Sequence, residues 1–272
     1  MPVTPASGRP ETTHRLASHT AGTHTRQRTE ISFSIVPRFS LSTLTVVGGD
    51  LCSPPSLTSG RMTLRRRQKE PFWLPLLLEG CRMAAEFPPH CRLALPVETP
   101  EAFPVDLLDH LVTALSDQQL PASKLDLEFT EASLAVDSDV LIYSLAALRD
   151  AGVGLVLSGF GTGLTSLSLL RDRTLSGLLT DVKLDRHLFC HDDPTHLQAG
   201  QSIARAVVQL GIDFGLNTRA EGVDTAEILH FLQTIQCQEG RGNMLGKPQS
   251  PIDFLKDQKT DRSVARKRKR AS

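Results

Sequence analysis

The sequence predicts an α/β protein, a single TIM-like (β/α)8 barrel flanked by disordered termini. Three observations carry that reading. From about residue 30, β-branched or alternating segments take turns with amphipathic ones, giving about eight strands over roughly 225 residues. Several of the strand segments run directly into turns rich in glycine and acidic residues, where parallel α/β proteins keep their functional groups. The composition, 40% hydrophobic and 22% charged, suits a chain with a sizeable core. An open doubly wound sheet uses the same units, so periodicity alone leaves the choice between open and closed sheets undecided.

The elements follow in order. Ile31–Val36 alternates apolar and polar residues, and Leu44–Val47 is β-branched and ends in Gly48-Gly49, so both read as strands. Leu74–Phe87 reads as a helix, and Arg92–Leu95 as a short strand stopped by Pro96. Pro104–Gln118 carries Leu107, Leu108, Leu111, Val112 and Leu115 at helical spacing. Leu125–Phe129 is a strand, and Ser138–Arg149 is a helix closed by Gly152. Val153–Leu157, Leu179–Leu184 and Phe214–Ala220 are strands, separated by helices over Leu164–Leu170 and Leu197–Leu210. A helix over Thr225–Thr234 and a last strand near Arg241–Leu245 complete the pattern.

Thirty basic and thirty acidic residues cancel, so net charge points to no polyanion or membrane partner. Five scattered cysteines without a C-x-x-C pair argue against a disulfide framework or zinc site and for a reducing cytoplasm. No apolar run approaches the roughly 18 residues that span a bilayer. Residues 1–29 hold four arginines, seven threonines, three histidines and a single acid, Glu11, and read as a disordered tail. Residues 30–256 form the barrel domain and 257–272 a basic tail ending in Arg266–Arg270, read as solvated, and no nucleic acid contact is expected outside it. His187, His191 and His196 match no metal-ligand spacing and read as a solvated loop.

The turns at the strand ends are more specific than the periodicity. In order they are Leu127–Glu131, Gly159-Phe-Gly-Thr-Gly163 with Ser166–Ser168, Lys183-Leu-Asp185, Ala220–Asp224, and Gly242 with Gly246–Pro248. This succession resembles the EAL domain, the barrel family that hydrolyses the bacterial second messenger cyclic di-GMP. The resemblance runs from about Ile31 to Leu255. It places the eponymous triplet at Asp50-Leu51-Cys52 and about four extra residues around Thr174–Gly177.

The resemblance implies two divalent ions, magnesium or manganese, that activate water and clamp phosphate oxygens, held by converging oxygen ligands. Carried over position by position, it gives Glu128, Glu221 and the shortened Asp50 as vestigial metal ligands, with Lys183 and Glu221 at the catalytic positions. Pro96 falls on the family's asparagine, Ser158 and Gly159 on its paired aspartates, Arg241 on its glutamine and Asn243 on the following aromatic. Serine and glycine are poor ligands, and Arg241 brings a cation that opposes metals but can pair with phosphate, as can Lys183. Thr130 and Asp185 are expected to make turn hydrogen bonds.

The expectation is therefore a degenerate EAL-domain protein of bacterial signalling, catalytically inactive, cytoplasmic, and acting on a regulatory protein through surface contacts, with no cofactor. Two alternatives stay open: a cyclic di-GMP sensor without turnover, and a metal-dependent phosphodiesterase using Mg2+ or Mn2+.

Overall fold

The computed structural model describes residues 33–52, 73–97, 106–135, 139–160, 166–189 and 193–258. Residues 1–29, the basic tail from 259 onward, the arginine-rich stretch at 61–69, the Gly161–Gly163 turn and His191 lie outside them, whereas 257–258 belong to a helix and not to a tail. Eight strands close into a barrel in chain order: β1 (Ser34–Ser40), β2 (Val46–Cys52), β3 (Arg92–Pro96), β4 (Leu125–Thr130), β5 (Gly154–Phe160), β6 (Asp181–Leu184), β7 (Asn217–Glu221) and β8 (Glu239–Arg241). The pairs from β2 to β8 are parallel, whereas β1 runs antiparallel to both of its neighbours. Alternation of elements carries no sign of that reversal.

Around the barrel pack α1 (Trp73–Glu86), α2 (Leu107–Asp117), the single turn α3 (Glu131–Leu134), α4 (Asp139–Asp150), α5 (Ser166–Arg171), α6 (Arg173–Leu178), α7 (Pro194–Phe214) and α8 (Ala226–Thr234). A final helix, α9, covers 251–258. Apolar strand residues such as Leu93, Leu95, Leu127, Leu155, Leu157 and Val182 meet Leu77, Leu111, Leu145 and Val208 of the helices in one continuous core. Burial of these leucines, at about 1.5–3 kcal/mol each, is the main force closing the outer layer. No helix of the described residues is long and apolar enough to cross a membrane.

The first strand runs to Ser40 and not Val36, and four other boundaries that differ from the sequence expectation bear on packing. The second strand does not stop at Gly48-Gly49 but runs through them to Cys52. A Cβ on Gly48 would lie 2.3 Å from the Arg92 carbonyl oxygen, and one on Gly49 2.5 Å from Ile35 Cγ2, so these glycines allow close strand approach instead of turning the chain. Likewise β5 continues past Leu157 through Ser158 and Gly159, where Gly159 takes a left-handed φ of 71° and the pairing with β6 shifts register. Phe214 belongs to α7, which ends only at Gly215 with φ 68° and the cap bond from its N–H to Ile212 O. The last strand begins and ends earlier than expected, at Glu239–Arg241, because Gly240 must sit against Leu41 and Val223. The extra residues near Thr174–Gly177 form α6, capped by Asp172, which accepts from Thr174 N and Leu175 N.

Candidate functional site

Side chains two residues apart on a strand share a face. Four of these strands place a charged pair at that spacing: Asp126 and Glu128, Asp181 and Lys183, Arg219 and Glu221, Glu239 and Arg241. The register sets Lys183 beside Arg219, Arg219 beside Glu239 and Glu221 beside Arg241. The barrel interior is thereby lined with two stacked layers of charge.

The upper layer lies at the carboxyl ends of the strands and floors a cavity of about 550 Å3. Lys183 Nζ sits 2.7 Å from Glu128 Oε2, 2.6 Å from Glu221 Oε1 and 3.4 Å from Asp50 Oδ2. Arg241 Nη2 donates to Glu221 Oε1 at 2.7 Å. Its Nε lies 2.9 Å from Asp50 Oδ2 but out of hydrogen-bond alignment, so that contact is coulombic. Three carboxylates therefore face two cations. Cys52 Sγ lies 3.7 Å from Arg241 Nη1 and closes the same side.

The lower layer was invisible to motif reading. Arg38, 2% exposed, reaches Asp50 Oδ1 at 3.1 Å, Asp126 Oδ2 at 2.9 Å and Glu239 Oε2 at 2.9 Å. Arg219 bridges Asp126 and Asp181, each at 2.9 Å. Asp50 thus joins the layers through its two oxygens. The signal that could have revealed this layer is the recurrence of a charge two residues before each strand-end charge.

Electrostatics follow from burial and partners. Burial alone would raise Asp50, but Lys183, Arg241, Arg38 and Arg219 hold it well below the usual carboxylate range. Glu221 is likewise held low by Lys183 and Arg241 against its burial. Glu128 goes the other way: burial, reinforced by Asp50 and Glu221, pushes it up despite Lys183. Burial disfavours the Lys183 ammonium, yet Glu128, Glu221 and Asp50 outweigh it and raise its pKa.

Of the remaining candidate positions, Pro96, Thr130, Ser158, Gly159 and Asp185 line the same cavity, and Asn243 does not. Pro96 ends β3 beside Glu128, and Ser158 Oγ donates to the Phe129 carbonyl at 3.1 Å. Gly159 is also on the wall. Asn243 lies beyond β8, its backbone N–H donating to Asp224 Oδ1 at 2.8 Å. Thr130 Oγ1 accepts from Ser133 N at 3.3 Å, and Asp185 Oδ1 from His187 N at 2.8 Å, so both serve as turn caps. Carboxylates on this cavity come from Asp50, Glu128 and Glu221 on the strands and from Glu131 and Asp185 just beyond β4 and β6, and the β3 and β5 ends add none.

A closed α/β barrel with its charged cavity at the strand carboxyl ends defines a TIM-like barrel protein. The EAL domain family matches residues 72–248, and the chain belongs to that family. It is 30% identical over 160 residues to the cyclic di-GMP phosphodiesterase PA2567 of Pseudomonas aeruginosa, covering 59% of this chain and 26% of that protein. The chain spans about a fifth to a quarter of the length of the first curated relatives it matches. Among solved structures it resembles the PaMucR phosphodiesterase in its cyclic di-GMP complex, at TM-score 0.66 and 23% identity over 82% of this chain and 94% of that one. The manganese and cyclic di-GMP complex of Klebsiella pneumoniae BlrP1 matches at TM-score 0.64 and 22% identity, over 81% and 56% of the two chains.

Proposed function

We propose that this chain is a non-catalytic EAL domain of cyclic di-GMP signalling that acts in the cytoplasm by binding a regulatory protein. One observation carries the reading: Lys183 and Arg241 occupy the space between Asp50, Glu128 and Glu221 and satisfy all three carboxylates. A pair of divalent ions needs several uncommitted oxygen ligands from different strand ends. Here Pro96 has no side-chain oxygen to give, Gly159 has no side chain, and the Ser158 hydroxyl is spent on a backbone carbonyl. Among the described residues no group of three or more His, Cys, Asp or Glu is arranged to hold a metal ion. The residues present do not fit a two-metal centre. Lys183 is committed to the same carboxylates, and Arg241 directs Nη2 to Glu221 and its charge to Asp50.

Isothermal titration with cyclic di-GMP, with and without Mg2+ or Mn2+, tests this. No heat and no linear dinucleotide are expected. Submicromolar binding without turnover identifies a sensor instead. Metal-dependent turnover that Glu128→Ala abolishes identifies a phosphodiesterase.

A further inference from the structure

The outer wall of the barrel carries an apolar groove that shares no residue with the cavity over Lys183. It encloses about 390 Å3 between α2 and α4. Leu108, Val112 and Leu115, at i, i+4 and i+7, form its α2 side. Ala147 of α4 and Ala151 just past that helix form the other. Val140 lies one heptad before Ala147 on the same stripe, and Tyr143 stands one turn before it at the edge. Val112, Val140 and Tyr143 are 57%, 49% and 70% exposed. Single exposed apolar side chains are ordinary, but these share one groove between two helices.

Charge at the rim has one sign. Asp109 of α2 lines the groove, and Asp139 and Asp150 lie four residues before and seven after Tyr143 on α4. All three are exposed, and none has an ion pair among the described residues. The cationic side chains of the two helices are placed elsewhere. Arg149 lines the opening at the amino ends of the strands, and His110 pairs with Asp106 at 3.4 Å and meets the Trp73 ring.

We propose that this groove is where the regulatory partner docks, and that the partner presents an amphipathic helix flanked by lysines or arginines. Its apolar stripe covers Val112 and Val140, and the two alanines let it approach α4 at an ordinary helix packing distance of about 8–10 Å. Its basic flanks meet Asp109, Asp139 and Asp150, which orient it and speed its encounter. A second copy of this chain fits less well, because a two-fold contact sets acid against acid. Residues 259–272 have the charge but only one large apolar side chain, Val264. The inference rests on the proposed reading that the domain acts through a partner protein. Titration with cyclic di-GMP tests that reading and titration with a peptide tests this one, so each can fail without the other.

The test is calorimetric titration of the full chain with a synthetic helical peptide of about four turns. Leucines at i, i+3, i+4 and i+7 form its apolar stripe and lysines its flanks, and a twin peptide carries glutamate for lysine. Saturable binding of the lysine peptide alone is expected, weakened about tenfold or more in Val112→Lys. Ile203→Lys, at an exposed site on α7, should leave it unchanged. Asp109→Lys with Asp150→Lys should shift the preference towards the glutamate twin. Val112 is exposed, so its variant keeps its fold, which the unfolding temperature verifies. Equal binding of the two peptides, or equal binding by the wild type and Val112→Lys, overturns the proposal. So does the absence of binding, the result expected if the chain's own tail fills the groove. A dimer of the chain alone that Val112→Lys dissociates in sedimentation gives the groove to a second copy and overturns it as well.

Discussion

Replacing Lys183 with methionine removes the cation that contacts all three upper carboxylates while keeping most of the side-chain volume. Each ammonium–carboxylate contact at about 4 Å is worth roughly 4 kcal/mol at an effective dielectric of 20. The desolvation of Lys183 itself, which the substitution relieves, offsets part of that gain. Breaking one side of a buried ion network costs about 3–5 kcal/mol net, because the carboxylates stay buried without a partner. Here Arg241 still serves Asp50 and Glu221, so the deficit falls mainly on Glu128. Glu128 already lies above the ordinary carboxylate range, and losing Lys183 raises it further. A folded-state pKa above the unfolded one means that the folded state binds the extra proton. Stability is then fully present below the unfolded pKa and is lost as pH rises through the folded value. The variant should therefore lose more stability at pH 8 than at pH 5, by up to about 1.4 kcal/mol for each unit by which Glu128 rises. Urea denaturation at the two pH values measures both quantities. A loss under about 1 kcal/mol at pH 8, or a loss independent of pH, refutes the description of these residues as one buried network.

Restoring acids at β5 with Ser158→Asp and Gly159→Asp together should give no turnover of cyclic di-GMP with Mn2+, because Pro96 and the Arg241 ion pairs remain. Residue 159 also sits at φ 71°, which strains any L side chain, although aspartate less than most. Metal-dependent hydrolysis by that double variant shows that β5 alone decides activity. In the lower layer Asp126 is buried, and Arg219, Arg38 and Arg92 override that burial and hold it at about 2, against an ordinary 3.8. A lowered folded pKa contributes stability above the unfolded value, and that contribution, about 2 kcal/mol, should disappear as pH falls from about 4 towards 2. Acid unfolding followed by circular dichroism reads it, and Asp126→Asn, already without that charge, should show a correspondingly smaller acid transition.

Much of this was legible in the chain because turn chemistry and hydrophobic period are local. Glu128, Lys183 and Glu221 could be placed at strand ends from their motifs, and the helices from the spacing of their leucines. What stayed hidden depends on register. Gly48 and Gly49 read as a stop because glycine usually punctuates a strand. They are strand residues here because the Arg92 backbone and Ile35 leave no room for a Cβ, and no local pattern reports that. Arg38 lies outside every motif, yet it ties Asp50 to Asp126 and Glu239, residues far apart in sequence.

On the proposed reading, register also couples the substitutions at separate strand ends. Taken one at a time, Pro96, Ser158, Gly159 and Arg241 are, on that reading, four independent changes from the pattern the resemblance implies. In the barrel they are linked by charge. A cavity that holds Asp50, Glu128 and Glu221 without metal ions keeps three clustered carboxylates balanced by Lys183 and, on Asp50 alone, by Arg38 from below, and an uncompensated buried charge costs several kcal/mol. Arg241, reaching Asp50 and Glu221 from β8, supplies the missing positive charge in a fixed geometry. On the proposed reading the arginine is what allows the other ligands to be lost while the acidic residues stay. Reverting Arg241 to glutamine should then destabilise the fold before it restores any chemistry, because the charge it removes has no replacement until metal ligands return at β3 and β5.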